Sequence, residues 1–343
     1  MTVLVAMSGG VDSSVAAALL QREGHEVVGV TMKLWGGPSD TGCCSVADVD
    51  DARRVAQQLG IDHYVFDFGG DFASAVVAPY VAAHAAGRTP NPCVACNRAI
   101  KFDRLLRRAD ALGVELVATG HHARVETAGA GRCRLRRGAD PAKDQSYVLH
   151  MLGQAELRRL RFPVGHLTKA AVRSLAAELG LRTAAKPDSQ DVCFIPTSGG
   201  RRGFLGDRLR FTPGRVVDTD GAEVGRVDAV ELVTIGQRKG LGTAGGAAPR
   251  FAVGVDVAAA TVTVGRADDL LAASVELADT SWVDGEPAGA VLVQTSAHGE
   301  PVAATWDPST ATARFDRQVR RVAPGQSVAL YDGDVLLGGG VAT

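Results

Sequence analysis

The sequence predicts an α/β protein: a doubly wound parallel sheet, then a small central domain, then a C-terminal β-barrel. Three observations carry this. Residues 1–125 alternate apolar, β-branched runs with helical stretches, the pattern of a parallel sheet covered on both faces. A Gly- and Ser-rich loop, Ala6-Met7-Ser8-Gly9-Gly10-Val11-Asp12-Ser13-Ser14, joins the first strand to the first helix. From about Ser274 onward only short strand-like runs remain, interrupted by turn residues.

The first strand reads over residues 3–7 and the first helix over 13–23, ending at Gly24. Between them, Gly9 and Gly10 let the backbone turn its N–H groups inward. The helix start adds about half a positive charge. Ser8, Ser13 and Ser14 offer hydroxyls, and Asp12 can hold a magnesium ion on phosphates. No Gly-Lys-Ser/Thr follows, so this is not the P-loop of ordinary NTPases. A plain turn capped by Asp12 or Ser13 accounts for one polar residue, not for two glycines and four polar groups.

Further strands read over 27–34, 63–68 and 115–119. Helices read over 46–59, 72–86 and about 97–112. In such sheets ligands bind at the carboxyl ends of the strands. That rule gathers three segments around one crevice: the phosphate loop, residues 31–35 with Met32 on the adenine and ribose side, and Gly120-His121-His122.

Residues 124–137 read as an Arg-rich hairpin. Asp140-Pro141 leads into Lys143-Asp144-Gln145-Ser146-Tyr147, and two amphipathic helices follow near 154–160 and 168–179. A polar loop over 186–196, carrying Cys193, closes the first domain. Beyond it, hairpins read over 214–225, around Asp220-Gly221, and over 251–265. A basic Gly-rich turn lies at 235–242 and a mobile Ala- and Gly-rich loop at 243–248. Barrel strands read over 275–278, 289–295, 302–306, 312–315, 327–331 and 335–338. The division expected is 1–200, 201–270 and 271–343.

Composition sets limits. The net charge is −1, so a nucleic-acid surface has to be local. No apolar run approaches the roughly 18 residues of a membrane span and no signal peptide precedes the first strand, so a cytoplasmic protein without a membrane partner is expected. Six Cys in 343 residues are not a disulfide scaffold. Only six of the 37 basic residues are Lys, so each Lys marks a place where a compact ammonium is wanted. Lys33, Lys101, Lys143, Lys186 and Lys239 fall in the motifs described.

Arg88-Thr89-Pro90-Asn91-Pro92-Cys93-Val94-Ala95-Cys96-Asn97-Arg98 places a CxxC at the start of a helix, after an extended Pro-rich segment. Thiols at a helix N-terminus are the reactive kind. Cys193 is a third candidate on its own loop. Cys43, Cys44 and Cys133 read as small buried hydrophobes. No second CxxC completes a structural zinc site.

The loop at 8–14 resembles the SGGxDS loop of the ATP pyrophosphatases, the superfamily with the adenine nucleotide alpha hydrolase-like fold. The ordered set of loop, 88–97, Gly120-His121, 143–147, Asp188-Ser189 with Cys193-Phe194-Ile195, 236–242 and Pro324-Gly325-Gln326-Ser327 resembles the tRNA-specific 2-thiouridylases over nearly the whole chain. That resemblance implies ATP and magnesium at Ala6, Met7, Ser8, Gly9, Gly10, Val11, Asp12, Ser13, Met32 and Gly120. It implies Cys96 and Cys193 as the catalytic pair, with Cys193 carrying sulfur as a persulfide. It implies tRNA contacts at Asn91, Pro92, Cys93, His121, Lys143, Asp144, Gln145 and Gln326. A sulfur donor, such as a cysteine desulfurase or a sulfur-relay protein, is implied as well.

Two departures bear on this. Many members carry Asp where this chain has Cys93, and the barrel segment that often holds a basic-aromatic tRNA contact reads Gln294-Thr295-Ser296-Ala297-His298. The first departure opens a second reading, in which Cys93, Cys96 and Cys193 hold a [4Fe–4S] cluster that carries the sulfur. An ATP-dependent amide ligase of the same superfamily, and an ATP-binding sensor, are the competing functions. Neither needs paired thiols.

Overall fold

A computed structural model describes residues 1–34, 45–188, 192–196, 198–243 and 248–343. Trp35, Cys43, Cys44, residues 189–191 and most of the 243–248 loop lie outside them.

The first part of the chain runs β1 (Thr2–Ala6), α1 (Val11–Arg22), β2 (Glu26–Lys33), α2 (Val46–Leu59), β3 (Asp62–Asp67), α3 (Gly69–Phe72) and α4 (Ala78–Ala85). It continues with α5 (Pro92–Cys96), α6 (Leu105–Ala111), β4 (Leu116–Thr119), β5 (Ala123–Thr127), β6 (Cys133–Arg137), α7 (Gln154–Leu157), β7 (Leu160–Arg161), α8 (Lys169–Glu178) and α9 (Gly200–Gly206). A π-helical stretch, Asn97–Arg104, makes α5 and α6 one continuous helix. That helix begins one turn before the expected start, so Cys93 and Cys96 lie inside it.

β1 is the hub of a five-stranded parallel sheet of order β3-β2-β1-β4-β7. Val3, Leu4 and Val5 are fully buried, because helices cover both faces and the strand needs no polar side. The chain leaves β1 in both directions across the sheet, so the crevice opens beyond the ends of β1 and β4. One expectation fails here. Residues 154–160 are not one helix: α7 is a single turn, and Leu160–Arg161 adds the edge strand β7 beside β4.

The central part comprises β8 (Gly214–Asp218), β9 (Glu223–Val227), β10 (Phe251–Asp256) and β11 (Thr261–Gly265), in the order β10-β11-β8-β9. Val216, Val230, Ala252 and Val262 are its fully buried core.

The last part is β12 (Leu271–Trp282), β13 (Gly289–Gln294), β14 (Val302–Asp307), β15 (Thr312–Arg320), β16 (Ser327–Asp332) and β17 (Val335–Ala342). These follow the order β12-β15-β14-β13-β16-β17, and pairing of β12 with β17 closes the barrel. Trp306, Val293, Val328 and Leu330 fill it. The edge of β17 away from β16 is shared. Val335 and Leu336 pair with Arg136 and Leu135 of β6, and Gly338–Ala342 pairs with β12. Gly338 sits at the changeover with φ +147°, and a Cβ there would lie 2.2 Å from the Ser281 carbonyl oxygen. The Arg-rich hairpin β5–β6 therefore extends the barrel sheet, although 200 residues separate its chain from the barrel's last strand.

Candidate active site

Gly10 is the N-cap of α1, and no side chain caps it. The N–H groups of the first turn therefore remain available to an anion. This removes the reading of Asp12 or Ser13 as a simple cap. Gly9 has φ +71°, and a Cβ there would stand 2.2 Å from the Asp48 carbonyl oxygen. Only glycine lets the loop press this closely on the start of α2. Gly120 has the same reason: its Cβ would lie 2.6 Å from the Ser13 nitrogen, so the end of β4 packs onto the start of α1. Two of the expected hydroxyl donors are turned inward. Ser13 and Ser14 both donate to the Gly10 carbonyl, at 3.2 and 2.8 Å, which leaves Ser8 as the exposed one. Ala6, Met7, Val11 and Met32 are buried.

Asp12 is the centre of an ion network that the motif alone did not reveal. Lys169 Nζ donates to both of its carboxylate oxygens, at 2.8 and 2.7 Å. His122 Nε2 lies 3.1 Å from Oδ1. Burial opposes the Asp12 charge, yet the hydrogen bonds of His122 and Lys169 hold its carboxyl below the ordinary range. Lys169 is itself 9% exposed and reaches a second carboxylate, Asp188 Oδ1, at 2.9 Å. Asp188 also receives Lys143 at 2.7 Å and Arg173 at 2.7 Å. Against the cost of burial, the Lys143 and Lys169 hydrogen bonds hold it far below the carboxylate range. Lys169 opens α8. Thr168 caps that helix, and Asp140 accepts the Lys169 backbone N–H at 2.9 Å.

The thiol helix begins at Pro92 and packs into the core cluster that holds Ala6 at the end of β1. Asn91 is its N-cap, accepting the Cys93 N–H at 3.1 Å, with Pro92 at the first position. Cys96 is buried in the cluster that contains Ala6, Met32, Phe102 and Phe194. Phe194, next to Cys193, stacks edge-on against Phe72, Tyr80 and Phe204, with centroids 5.4, 5.6 and 5.1 Å away. Tyr80 also lies within electrostatic reach of Cys93. One aromatic cluster thus anchors the segment of Cys193 beside the helix of Cys93 and Cys96. Cys93, Cys96, Cys133 and Cys193 are thiols. Cys133 is buried at 4% exposure in β6, as expected of a small hydrophobe. Among the described residues no three His, Cys, Asp or Glu side chains stand together as metal ligands.

The comparisons decide the family. The family described as tRNA methyl transferase HUP domain matches residues 1–197, its PRC-barrel domain 202–266, and the aminomethyltransferase β-barrel domain 273–342. A tRNA-specific 2-thiouridylase MnmA of Sorangium cellulosum is 49% identical, covering 98% of this chain and 91% of that protein. The MnmA proteins of Mycobacteroides abscessus and Chloroflexus aurantiacus are each 47% identical, covering 100% and 98% of this chain and 99% and 97% of their own lengths. The chain belongs to the tRNA-specific 2-thiouridylase family.

Several positions carried over from the 2-thiouridylase pattern have other occupations here. His121 is 7% exposed, with Thr119 Oγ1 2.6 Å from Nδ1 and its ring between Phe102 and Phe162. Burial, with Lys101 nearby, pushes its pKa well below the ordinary value. It is buried, and its neighbour His122 is the one that reaches Asp12. Asp144 is held by several groups of its own chain. Its side chain is 7% exposed and accepts from Arg137, the Gly138 and Ser146 N–H groups and the Ser146 hydroxyl. Gln145 Oε1 accepts the His122 N–H at 2.9 Å. Gln326 donates its amide to the Thr89 carbonyl. Lys143 is committed to Asp188.

The arginines of the hairpin are largely committed too. Arg132 pairs with Asp284, Arg136 with Glu126 and Asp334, Arg124 with Asp334, and Arg137 with Asp144. Arg134 is the exposed one without a carboxylate partner among the described residues. Lys169 is the member of this network that the sequence reading missed. The signal was available: of the six lysines it is the one outside the motifs.

Proposed function

We propose that this chain is a tRNA-uridine 2-sulfurtransferase that uses ATP to replace the C2 oxygen of the wobble uridine by sulfur. The observation that carries the reading is an uncapped, Gly-rich anion loop after β1, with Cys96 and Phe194, the neighbour of Cys193, in the core cluster that holds Ala6 of that strand. Family membership supplies the substrate class. The uridine C2 oxygen attacks the α-phosphate of ATP, and pyrophosphate leaves toward the N–H groups of the loop. Asp12 would hold magnesium together with the phosphates, and that ion would supply charge neutralisation there. The target base has to leave its stack to reach the crevice.

Cys193, loaded as a persulfide by a sulfur donor, attacks C2 through its terminal sulfur and AMP leaves. Cys96 then attacks the inner sulfur. The sulfur–sulfur bond breaks, 2-thiouridine is released, and a Cys96–Cys193 disulfide remains for a dithiol to reduce. Membership of the 2-thiouridylase family supports this route over one through an iron–sulfur cluster. A cysteine desulfurase or a sulfur-relay protein is the donor this chemistry needs.

The test is incubation with tRNA, ATP, magnesium and a desulfurase–cysteine system, followed by mass analysis of the tRNA nucleosides. Formation of 2-thiouridine is expected, with loss of at least a hundredfold in Cys96→Ser and in Cys193→Ser and substantial activity in Cys93→Ser. An amide ligase would tolerate both of the first two changes. Near-complete loss in Cys93→Ser, with iron in anaerobically purified protein, would replace the persulfide by the cluster.

A further inference from the structure

Lys169 holds two carboxylates from different parts of the chain. Two of its contacts, at 2.8 and 2.7 Å, go to Asp12 in the phosphate loop, and a third, at 2.9 Å, goes to Asp188. An ammonium has three N–H donors, so these contacts use all of them. Asp188 stands five residues before Cys193, within at most roughly 18 Å along the chain. Lys169 is thus a buried cation between the anion loop and the root of the segment that carries the second thiol.

This arrangement changes when a polyphosphate enters. The loop N–H groups and the phosphates draw in cations, and Lys169 is the buried ammonium already in contact with that loop. Asp12, once released, is available to a metal ion. Lys143 at 2.7 Å and Arg173 at 2.7 Å keep Asp188 charged and anchored as Lys169 redistributes. The environment of Asp188 therefore depends on whether nucleotide is bound.

We infer that Lys169 is a positioning residue that couples occupancy of the phosphate loop to the segment carrying Cys193, by exchanging Asp12 for the polyphosphate while keeping Asp188. The inference rests on the nucleotide half of the proposed function. Its test needs no tRNA and no thiolation, so the two can fail separately.

The rate of alkylation of Cys193 by iodoacetamide is followed by peptide mass analysis, with and without ATP and magnesium. In the wild type, nucleotide should change that rate at least fivefold. In Lys169→Met the change should vanish and the apparent affinity for ATP should fall at least tenfold. Removing a buried cation between two carboxylates can unfold the chain, so Asp188→Asn provides a second arm, at an exposed position. There the ATP affinity should stay within about threefold of wild type while the nucleotide effect on Cys193 is lost. A wild-type Cys193 that alkylates at one rate with and without ATP overturns the inference. So does a nucleotide effect of wild-type size in Asp188→Asn, or in a folded Lys169→Met. Absence of 2-thiouridine in the wild-type assay with tRNA would count against the proposed function alone.

Discussion

The side-chain amide of Gln326, in the barrel, donates to the backbone carbonyl of Thr89, one turn ahead of the thiol helix. Thr89 is held from two more sides. Its N–H donates to the Pro324 carbonyl at 2.9 Å, and its hydroxyl to Thr234 Oγ1 of the central part at 3.2 Å. All three parts of the chain meet on this residue. Gln326→Ala removes one bond, worth about 1 kcal/mol, and loosens the approach to Asn91 and Cys93. The expected result is a fall in kcat of roughly tenfold from misplacement, with the KM for ATP unchanged. Steady-state kinetics with tRNA and ATP varied separately would check it. A rise in the KM for ATP would contradict the assignment.

Gly120→Ala should disable the phosphate loop without touching a ligand group. The added methyl would stand 2.6 Å from the Ser13 nitrogen and 2.7 Å from the Asp12 carbonyl carbon. The start of α1 has to move, at a cost of about 2–3 kcal/mol. ATP-dependent pyrophosphate release should drop at least a hundredfold while the far-ultraviolet circular dichroism stays near that of the wild type.

The hairpin separates fold from binding. Asp144→Ala leaves Arg137 unpaired beside the Tyr331 ring, with its guanidinium 3.8 Å from the centroid, and orphans the Gly138 and Ser146 N–H groups. Loss of about 3 kcal/mol is expected in urea unfolding. Arg134→Glu touches no ion pair. It should leave stability within about 0.5 kcal/mol and, if the hairpin meets tRNA, weaken binding at low salt and reduce the salt slope by about one.

Acid should unfold the protein well before the carboxylates of unfolded chains protonate. Burial, with Arg98 close by, depresses the His150 pKa to about 4, and burial with Arg201 does the same for His84. The folded pKa lies below the unfolded value, so the unfolded chain binds more protons between about 6.5 and 4. Stability is full above that window and falls with pH inside it. Each histidine should remove about 2 kcal/mol between pH 7 and pH 5. The lowered pKa values of Asp12 and Asp188 act in the same direction at still lower pH. Urea titrations at pH 7 and pH 5 measure the sum, and His150→Met should remove one share.

Local patterns carried most of the fold. The alternation in residues 1–125, the Gly-rich loop and the Asp-Gly turn are short-range signals, and the elements they announce are present. What the sequence concealed is long-range. Nothing in the string Cys133–Arg137 says that its outer edge pairs with Val335 and Leu336, because pairing partners leave no mark on composition. Leu160–Arg161 is too short to show a period. In the site, the loop and the CxxC were legible because their chemistry is written in adjacent residues. The Asp12–Lys169–Asp188 network was not, since its members are spread over more than 170 positions and meet only through the sheet. For the same reason the ion pairs of the hairpin arginines were not legible. Their carboxylate partners, Asp284 and Asp334, lie in a distant part of the chain.

The shared edge of β17 sets a timetable during synthesis. β6 leaves the ribosome roughly 200 residues before Val335 and Leu336 can pair with it, which at about 5–20 residues per second is on the order of 10–40 s. Throughout that interval the nascent catalytic half displays an open strand edge beside a row of arginines and waits for its neighbour. The arginines are well placed to discourage edge-to-edge association in the meantime. When β17 arrives, it closes the barrel and seals the early hairpin in one event. A chain that stops short of it leaves both the barrel and the early hairpin unfinished at once, so a late truncation reaches back into the first part of the molecule.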